Sequence, residues 1–308
     1  MVTRLAKTRE LIGRWSPMEI AQFGERVTEE LKRRNNEHVH EPSGLISGGK
    51  LGQPTLWSVL DMLAELRAEH DGYTLGKFQR GHDVEARAIN LLTGLSIQYI
   101  VDILDGIIDN PGWIKLEANN ILDGEVYLQY KQGYRGGTGY VDLAQKTPSG
   151  ELIFHEIKSS NKMAFDKVAM TGASAIAARK RGETLKPAPY DHHVLQLSYY
   201  CLGGDVNRGF IHYLNADDYR LISFAINPED AREEIDKEID DIQAAFILKS
   251  LPVFEPLFDF QRIKNYQAYG DEWNMLSPDE LMTKLENEFP SAYDKLMTTI
   301  LPTESEKQ

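Results

Sequence analysis

Gly139-Tyr-Val-Asp142 and Phe154-His-Glu-Ile-Lys158 decide how this chain is read. Each piece alternates in polarity as a half-buried strand does. Lys146-Thr-Pro-Ser-Gly150 between them is a turn segment with proline and glycine, so the pair reads as a hairpin. Glu156 and Lys158 stand two apart on one strand and share a face, and Asp142 can meet them from the neighbouring strand. Two carboxylates and a lysine make a poor core and a good site for a hard divalent cation, which takes oxygen ligands. The chemistry that uses this set is phosphodiester hydrolysis. Two carboxylates and a backbone carbonyl hold Mg²⁺, which polarises a phosphoryl oxygen and acidifies a bound water; the lysine orients that water or stabilises charge. The plainer alternative is a surface hairpin with a cross-strand Asp/Lys pair, which is common. The D…ExK pattern alone is short and degenerate.

Two further motifs flank the hairpin. His193-Val-Leu-Gln196-Leu-Ser-Tyr-Tyr200-Cys-Leu202 reads as a helix with Gln196 and Tyr200 on one face, at i and i+4. Gly81-His-Asp-Val-Glu85 begins another helix, expected to reach about Leu92. The order GxxxE, GxxD, ExK, QxxxY resembles the RecB-like branch of the PD-(D/E)XK nuclease superfamily. That branch includes CRISPR adaptation nucleases, recombination exonucleases and phage and mitochondrial relatives. The resemblance spans about residues 40 to 215. Each motif is weak alone; four in order on the expected elements are more specific.

The resemblance implies an α/β fold: a restriction-endonuclease-like core, a mixed β-sheet flanked by helices, with an N-terminal helical part and a C-terminal appendage. The expected divisions are 1–75 helical, 76–250 nuclease core, and 251–308 appendage, partly disordered. It implies a metal-dependent deoxyribonuclease, an exonuclease acting on DNA ends in recombination, repair or phage DNA metabolism. Asp142, Glu156 and the Ile157 carbonyl would hold Mg²⁺ or Mn²⁺, one ion or two, with Glu85 supporting. Lys158 would activate or position water. Gln196 would position the attacking water or touch the scissile phosphate; Tyr200 would bond a phosphate or stack on a base. For Glu85 the plainer role is a salt bridge with Arg87 or Lys77; for Gln196 and Tyr200 it is helix packing on the sheet. The implied partners are DNA and a recombination or annealing protein. Three rivals stay open: an endonuclease of a defence or adaptation system, a catalytically silent DNA- or partner-binding relative, and an RNA-processing enzyme.

Composition sets bounds. Hydrophobic content of 42% and charged content of 26% over 308 residues are globular values and allow a sizeable core. The single cysteine, Cys201, excludes a disulfide framework and a cysteine metal cluster, and fits a reducing compartment. Relatives with an iron–sulfur cluster carry a cysteine in a Gly-Cys-Pro-Arg segment. Here Gly52 and Pro54 keep that shape, but Gln53 and Thr55 replace the cysteine and arginine, so no cluster is expected. No apolar run reaches membrane-span length and the start lacks a secretory core, so the expected location is cytoplasmic, with no membrane partner. The net charge of −13 argues against loose coating of DNA but permits a local basic groove.

That groove has candidates. Lys162, Lys167, Arg179, Lys180, Arg181 and Lys186 cluster around a small-residue helix expected over Ala169 to Ala178, read as a DNA-contacting insertion or a solvated helix end. Arg80 and Arg87 are expected to face phosphates.

Elsewhere, Ser16-Pro17 opens a helix expected to run to about Arg34, and Thr55 is expected to cap an amphipathic helix to Leu63. His38 and His40 read as loop histidines, or less plausibly as metal ligands. Ile97–Ile103 reads as a strand or a continuation of the preceding helix, followed by strands at 113–117 and 125–130. The glycines of Tyr134-Arg-Gly-Gly-Thr-Gly139 are expected to let the hairpin approach substrate or another strand. A hairpin at 209–226, a helix from Pro228 capped by Asn227, and short helices over 280–286 and 290–300 complete the expectation.

Overall fold

The structure is a computed structural model that describes residues 22, 25–30, 46–63, 72–255 and 273–299. The chain divides into two compact units, Met1–Glu41 with Glu69–His82, and Pro42–Ala68 with Asp83–Gln308. The sheet and the buried core belong to the second. Of the first expected helix, residues 22 and 25–30 are helical; the rest, with His38 and His40, lies outside the described residues.

The fold is mixed α/β. Six strands run in the order β1 (Ile114–Lys115), β2 (Glu125–Gln132), β3 (Gly139–Lys146), β4 (Leu152–Ser160), β5 (Gly209–Asn215) and β6 (Leu221–Ile226). All neighbours are antiparallel except β4 and β5, which are parallel. A parallel pair needs a crossover, supplied by α4 (Lys162–Val168), α5 (Ala173–Lys180) and α6 (Asp191–Gly203). The helices α1 (Thr55–Leu63), α2 (Gly72–Thr93), α3 (Ile97–Leu104), α7 (Arg232–Leu248), α8 (Pro278–Glu288) and α9 (Pro290–Thr298) complete the described elements.

Two apolar clusters sandwich the sheet. One joins α1, α6, α7, α8 and α9 to Val141, Ala144, Phe154, Ile211 and Tyr213. The other joins α2 and α3 to Val126, Leu128, Leu143, Ile157 and Leu214. The C-terminal helices close the first cluster through Leu281, Leu285, Ala292 and Leu296, and Lys295 Nζ donates to the Met62 carbonyl at 2.9 Å.

Three local expectations need correction. Ile97–Leu104 is a helix, not a strand: Ser96 accepts the Tyr99 N–H as N-cap, and Ile100 and Ile103 are buried on one side. Its apolar residues 97, 100, 101 and 104 follow the helical spacing. The insertion holds two helices rather than one over 169–178, because Met170 turns left-handed (φ 54°) between α4 and α5. α1 starts at Thr55 itself and is not amphipathic: Leu56 to Leu60, Met62 and Leu63 are all buried. The glycines at the start of β3 pack against a helix as well as a strand: Gly139 pairs with Gln132 of β2. A Cβ on Gly137 would lie 2.0 Å from the Tyr199 hydroxyl, and one on Gly139 2.6 Å from that of Tyr200, so they let β3 press against α6.

On the α2 side of the sheet a polar chain crosses four strands. Gln145 Nε2 donates to the Asp123 carbonyl and carboxylate at 2.9 and 3.0 Å, leaving Gln145 Oε1 to accept from His155 Nε2 at 3.2 Å. His155 Nδ1 then accepts from His212 Nε2 at 2.9 Å, and His212 Nδ1 from the Ser223 hydroxyl at 2.7 Å. Each link sets the tautomer of the next, and both imidazoles are neutral. Burial holds both below the ordinary 6.5, His212 at about 4, and His155 is lowered further by His212 and Arg208.

Candidate active site

The register of β3 on β4 pairs Leu143 with His155 and runs to Lys146 with Leu152. Past Leu143 the ladder stops. Asp142 Oδ2 instead accepts the Ile157 N–H at 2.6 Å, a side chain standing where a strand carbonyl would be. The N–H and C=O of a strand residue point the same way. The Ile157 carbonyl therefore also faces the gap beside Asp142. Glu156, next in register, is buried at 1% exposure.

Lys158 lies on the same face of β4 as Glu156. Its Nζ donates to Glu156 Oε1 at 2.6 Å and to Gln196 Oε1 of α6 at 2.9 Å. Tyr200, one turn on, is buried, with its hydroxyl in hydrogen-bonding reach of Gln196. Glu85 approaches from α2, beside the buried Val84 and Ala88 that pin this face to the second cluster. Gln129 Nε2 of β2 donates to Glu85 Oε1 at 3.0 Å.

The structure thus brings together Glu85, Asp142, Glu156, Ile157, Lys158, Gln196 and Tyr200. It leaves no face of Tyr200 on the surface for stacking, since the ring is 3% exposed. Lys162 is paired with Asp166 at 2.6 Å and Arg181 with Glu183 at 2.8 Å. Lys167 sits 5.3 Å over the Tyr190 ring and Arg87 5.2 Å over Tyr219. Arg179, Lys180 and Lys186 are exposed at and beyond the end of α5, and Arg80 is exposed on α2.

Three carboxyls face one ammonium, so full ionisation would put two surplus negative charges in a poorly hydrated gap. Burial, then Glu156, pushes Glu85 to about 7, against the opposing pull of Lys158 and Gln129. Burial, then Glu156 and Glu85, raise Asp142 well above the ordinary carboxylate range, against the pull of Lys158 and the Ile157 N–H. Burial disfavours charge on Lys158, but Glu156, Asp142 and Glu85 outweigh it and hold its pKa above the usual value. Lys158 therefore stands as an ammonium that donates to Glu156 and Gln196. Cys201, buried with its thiol pushed up to about 12, is not a nucleophile.

Glu156 Oε2 is buried with no hydrogen-bond partner among the described residues. A buried carboxylate oxygen without a partner is costly. A divalent cation would satisfy it and cancel the surplus charge that ionisation brings. Among the described residues no three His, Cys, Asp or Glu side chains are grouped so as to hold an ion by themselves. The donor set that fits is Asp142, Glu156 and the Ile157 carbonyl, all oxygen, with Glu85 adding charge.

Gln129 was absent from the sequence reading. A glutamine in an ordinary strand pattern carries no signal; its φ of +50° is visible only in the backbone.

No protein-family model matches the chain, and no curated protein matches it. Solved structures give a likeness at low identity. SSO0001 is 15% identical with a TM-score of 0.37, covering 80% of this chain and 93% of that one. The alkaline exonuclease LHK-Exo from Laribacter hongkongensis is 16% identical with a TM-score of 0.33, covering 66% and 88%. The same exonuclease in complex with dAMP gives 16%, 0.32, 65% and 87%.

Proposed function

We propose that the chain is a divalent-metal-dependent nuclease that hydrolyses DNA phosphodiester bonds at the gap between β3 and β4. The observation that carries this is the buried, orphaned Glu156 oxygen in a gap that also gathers Asp142, Glu85 and the Lys158 ammonium. Asp142, Glu156 and the Ile157 carbonyl hold Mg²⁺ or Mn²⁺. When bound, the ion supplies a polarised phosphoryl oxygen and an acidified water.

The chain's own residues do the rest. Lys158 keeps its proton and donates toward the transferring phosphoryl group, where negative charge grows. Gln196 holds the Lys158 ammonium from the α6 side, and Tyr200 holds Gln196. Asp142 does double duty: one oxygen fixes the β4 backbone through Ile157, and its charge serves the cation. Arg179, Lys180 and Lys186 supply a sequence-independent backbone contact from the crossover. The choice of an exonuclease that starts from DNA ends rests on the resemblance to the RecB-like branch rather than on any residue.

The test is cleavage of linear and covalently closed DNA with Mg²⁺, with Mn²⁺ and with chelator, with RNA of the same sequence as competitor. Linear DNA is expected to be consumed from an end, only with metal, while the circle survives. A cut circle transfers the site to an endonuclease. No cleavage in any arm overturns the nuclease reading and leaves a binding protein.

A further inference from the structure

Six described residues other than glycine have positive φ, and Gln129 alone among them stands inside a strand. Left-handed φ is costly for a long side chain, and such strain persists where the surroundings hold it. Its effect is a change of face. Tyr127 and Tyr130 are three apart, which in a regular strand puts them on opposite sides. Here both pack on the first cluster, with ring centroids 5.5 Å apart. β3 makes the matching change: Ala144 and Val141 pack on that cluster, while Leu143 packs on the other.

The two changes occur opposite each other. The register runs from Leu128 with Leu143 to Tyr130 with Val141, so Gln129 faces Asp142, the one position in the run that is unpaired. The carbonyl just before it, on Leu128, accepts from the Asn110 side chain. The kink therefore turns Asp142 out of its strand's alternation at the point where β3 leaves β4. If the kink alone mattered, glycine or asparagine would serve at less strain. The residue present is longer, and its amide reaches Glu85 Oε1 at 3.0 Å. A neutral donor anchors that carboxyl without adding a positive charge that would oppose a cation.

We infer that Gln129 is a positioning residue of the site: its backbone turns Asp142 toward the gap while its amide fixes Glu85. The inference rests on the proposed nuclease reading. Two variants change the side chain while tolerating the kink. Gln129→Gly removes the amide and the strain, and Gln129→Asn keeps an amide one methylene shorter in a residue tolerant of this φ.

Mn²⁺ binding is measured by calorimetry on the whole folded chain, with the Mn²⁺ concentration giving half-maximal cleavage and the thermal midpoint alongside. Both variants are expected to keep or raise the midpoint while binding Mn²⁺ about 10-fold more weakly, with the half-maximal concentration moving in step and kcat at saturating Mn²⁺ much less changed. Wild-type affinity in both variants overturns the inference alone. A wild-type chain that neither binds Mn²⁺ nor cleaves overturns the nuclease reading, and this inference with it.

Discussion

Asp142 Oδ2 accepts the Ile157 N–H at 2.6 Å at the point where the ladder between β3 and β4 ends. One carboxylate thus supports both backbone and charge, and Asp142→Asn splits the two tasks. The asparagine oxygen still accepts from Ile157, so the fold is kept, and removing one of three crowded carboxyls leaves metal-free stability equal or higher. Metal-dependent cleavage is expected to fall by roughly two orders of magnitude. Paired measurement of thermal midpoint and cleavage rate checks this; a midpoint loss matching the rate loss would reduce Asp142 to a structural residue.

The stability of the metal-free protein should fall as pH rises above neutrality. Glu85 has a folded pKa of about 7 against 4.5, and Asp142 lies well above 3.8. Such raised acids bind more protons folded than unfolded, so their stabilisation is full below the unfolded pKa and is lost as pH rises through the folded one. His155 and His212 act oppositely, because their depressed values give stability that is full above 6.5 and is lost as pH falls, to about 4 for His212. The two pairs oppose each other below pH 6.5, and above it the carboxyls act alone. Urea unfolding in chelator between pH 6.5 and about 8 should show a decline of at most about 1.4 kcal/mol per pH unit per carboxyl. Glu85→Gln flattens it, and Mn²⁺ opposes it. A rise with pH over this interval would contradict the burial of these groups.

How much of this could be read from the chain depended on what kind of feature carried it. Glu156 and Lys158 were legible because a strand's two-residue period projects straight onto a face, and Gln196 with Tyr200 because a helix's i, i+4 spacing does the same; Asp142 was legible only as a carboxylate on the neighbouring strand, since the alternation of β3 breaks beside it. The helix over Ile97–Leu104 was also present in the spacing and in the Ser96 cap; its β-branched residues masked it, and tertiary packing overrode their propensity. Gln129 was not legible, because a left-handed residue inside a strand follows from the meeting of three elements rather than from its own neighbourhood. The basic run gave no sign of its local structure for a related reason: the break at Met170 divides it between two helices, and acidic partners from the same crossover pair with Lys162 and Arg181.

The buried histidine chain predicts a stability effect without a catalytic one. His155→Leu leaves Gln145 Oε1 and the His212 Nε2–H without their partners at two positions that are 5% and 4% exposed. The cost is about 1–3 kcal/mol for a buried group left unsatisfied. Urea unfolding at about pH 7.5, where the wild-type chain's imidazoles are neutral, should show it, with cleavage by the folded fraction unchanged. Undiminished stability would mean the chain of bonds is not formed.

The glycines before β3 separate fold from site. Gly137→Ala places a Cβ 2.0 Å from the Tyr199 hydroxyl and 2.1 Å from the Ile46 carbonyl that this hydroxyl bonds at 3.0 Å. Overpacking of this kind costs about 1–3 kcal/mol. Gly139→Ala meets the Tyr200 hydroxyl at 2.6 Å, which disturbs Gln196 and through it Lys158. Gly137→Ala should therefore lose mainly thermal stability and Gly139→Ala mainly cleavage rate. The reverse order would break the proposed link from Tyr200 to Lys158.

The most direct test of the central claim is the rate at which end-labelled linear DNA is cleaved in Mn²⁺ by the wild-type chain and by Lys158→Met, which keeps the buried stem and removes the ammonium. With both proteins folded by thermal midpoint, the wild type should cleave about 100-fold faster or more, as expected for loss of a preorganised donor at a charged transition state, and chelator should stop it. Equal rates, or cleavage that persists in chelator, would contradict the account.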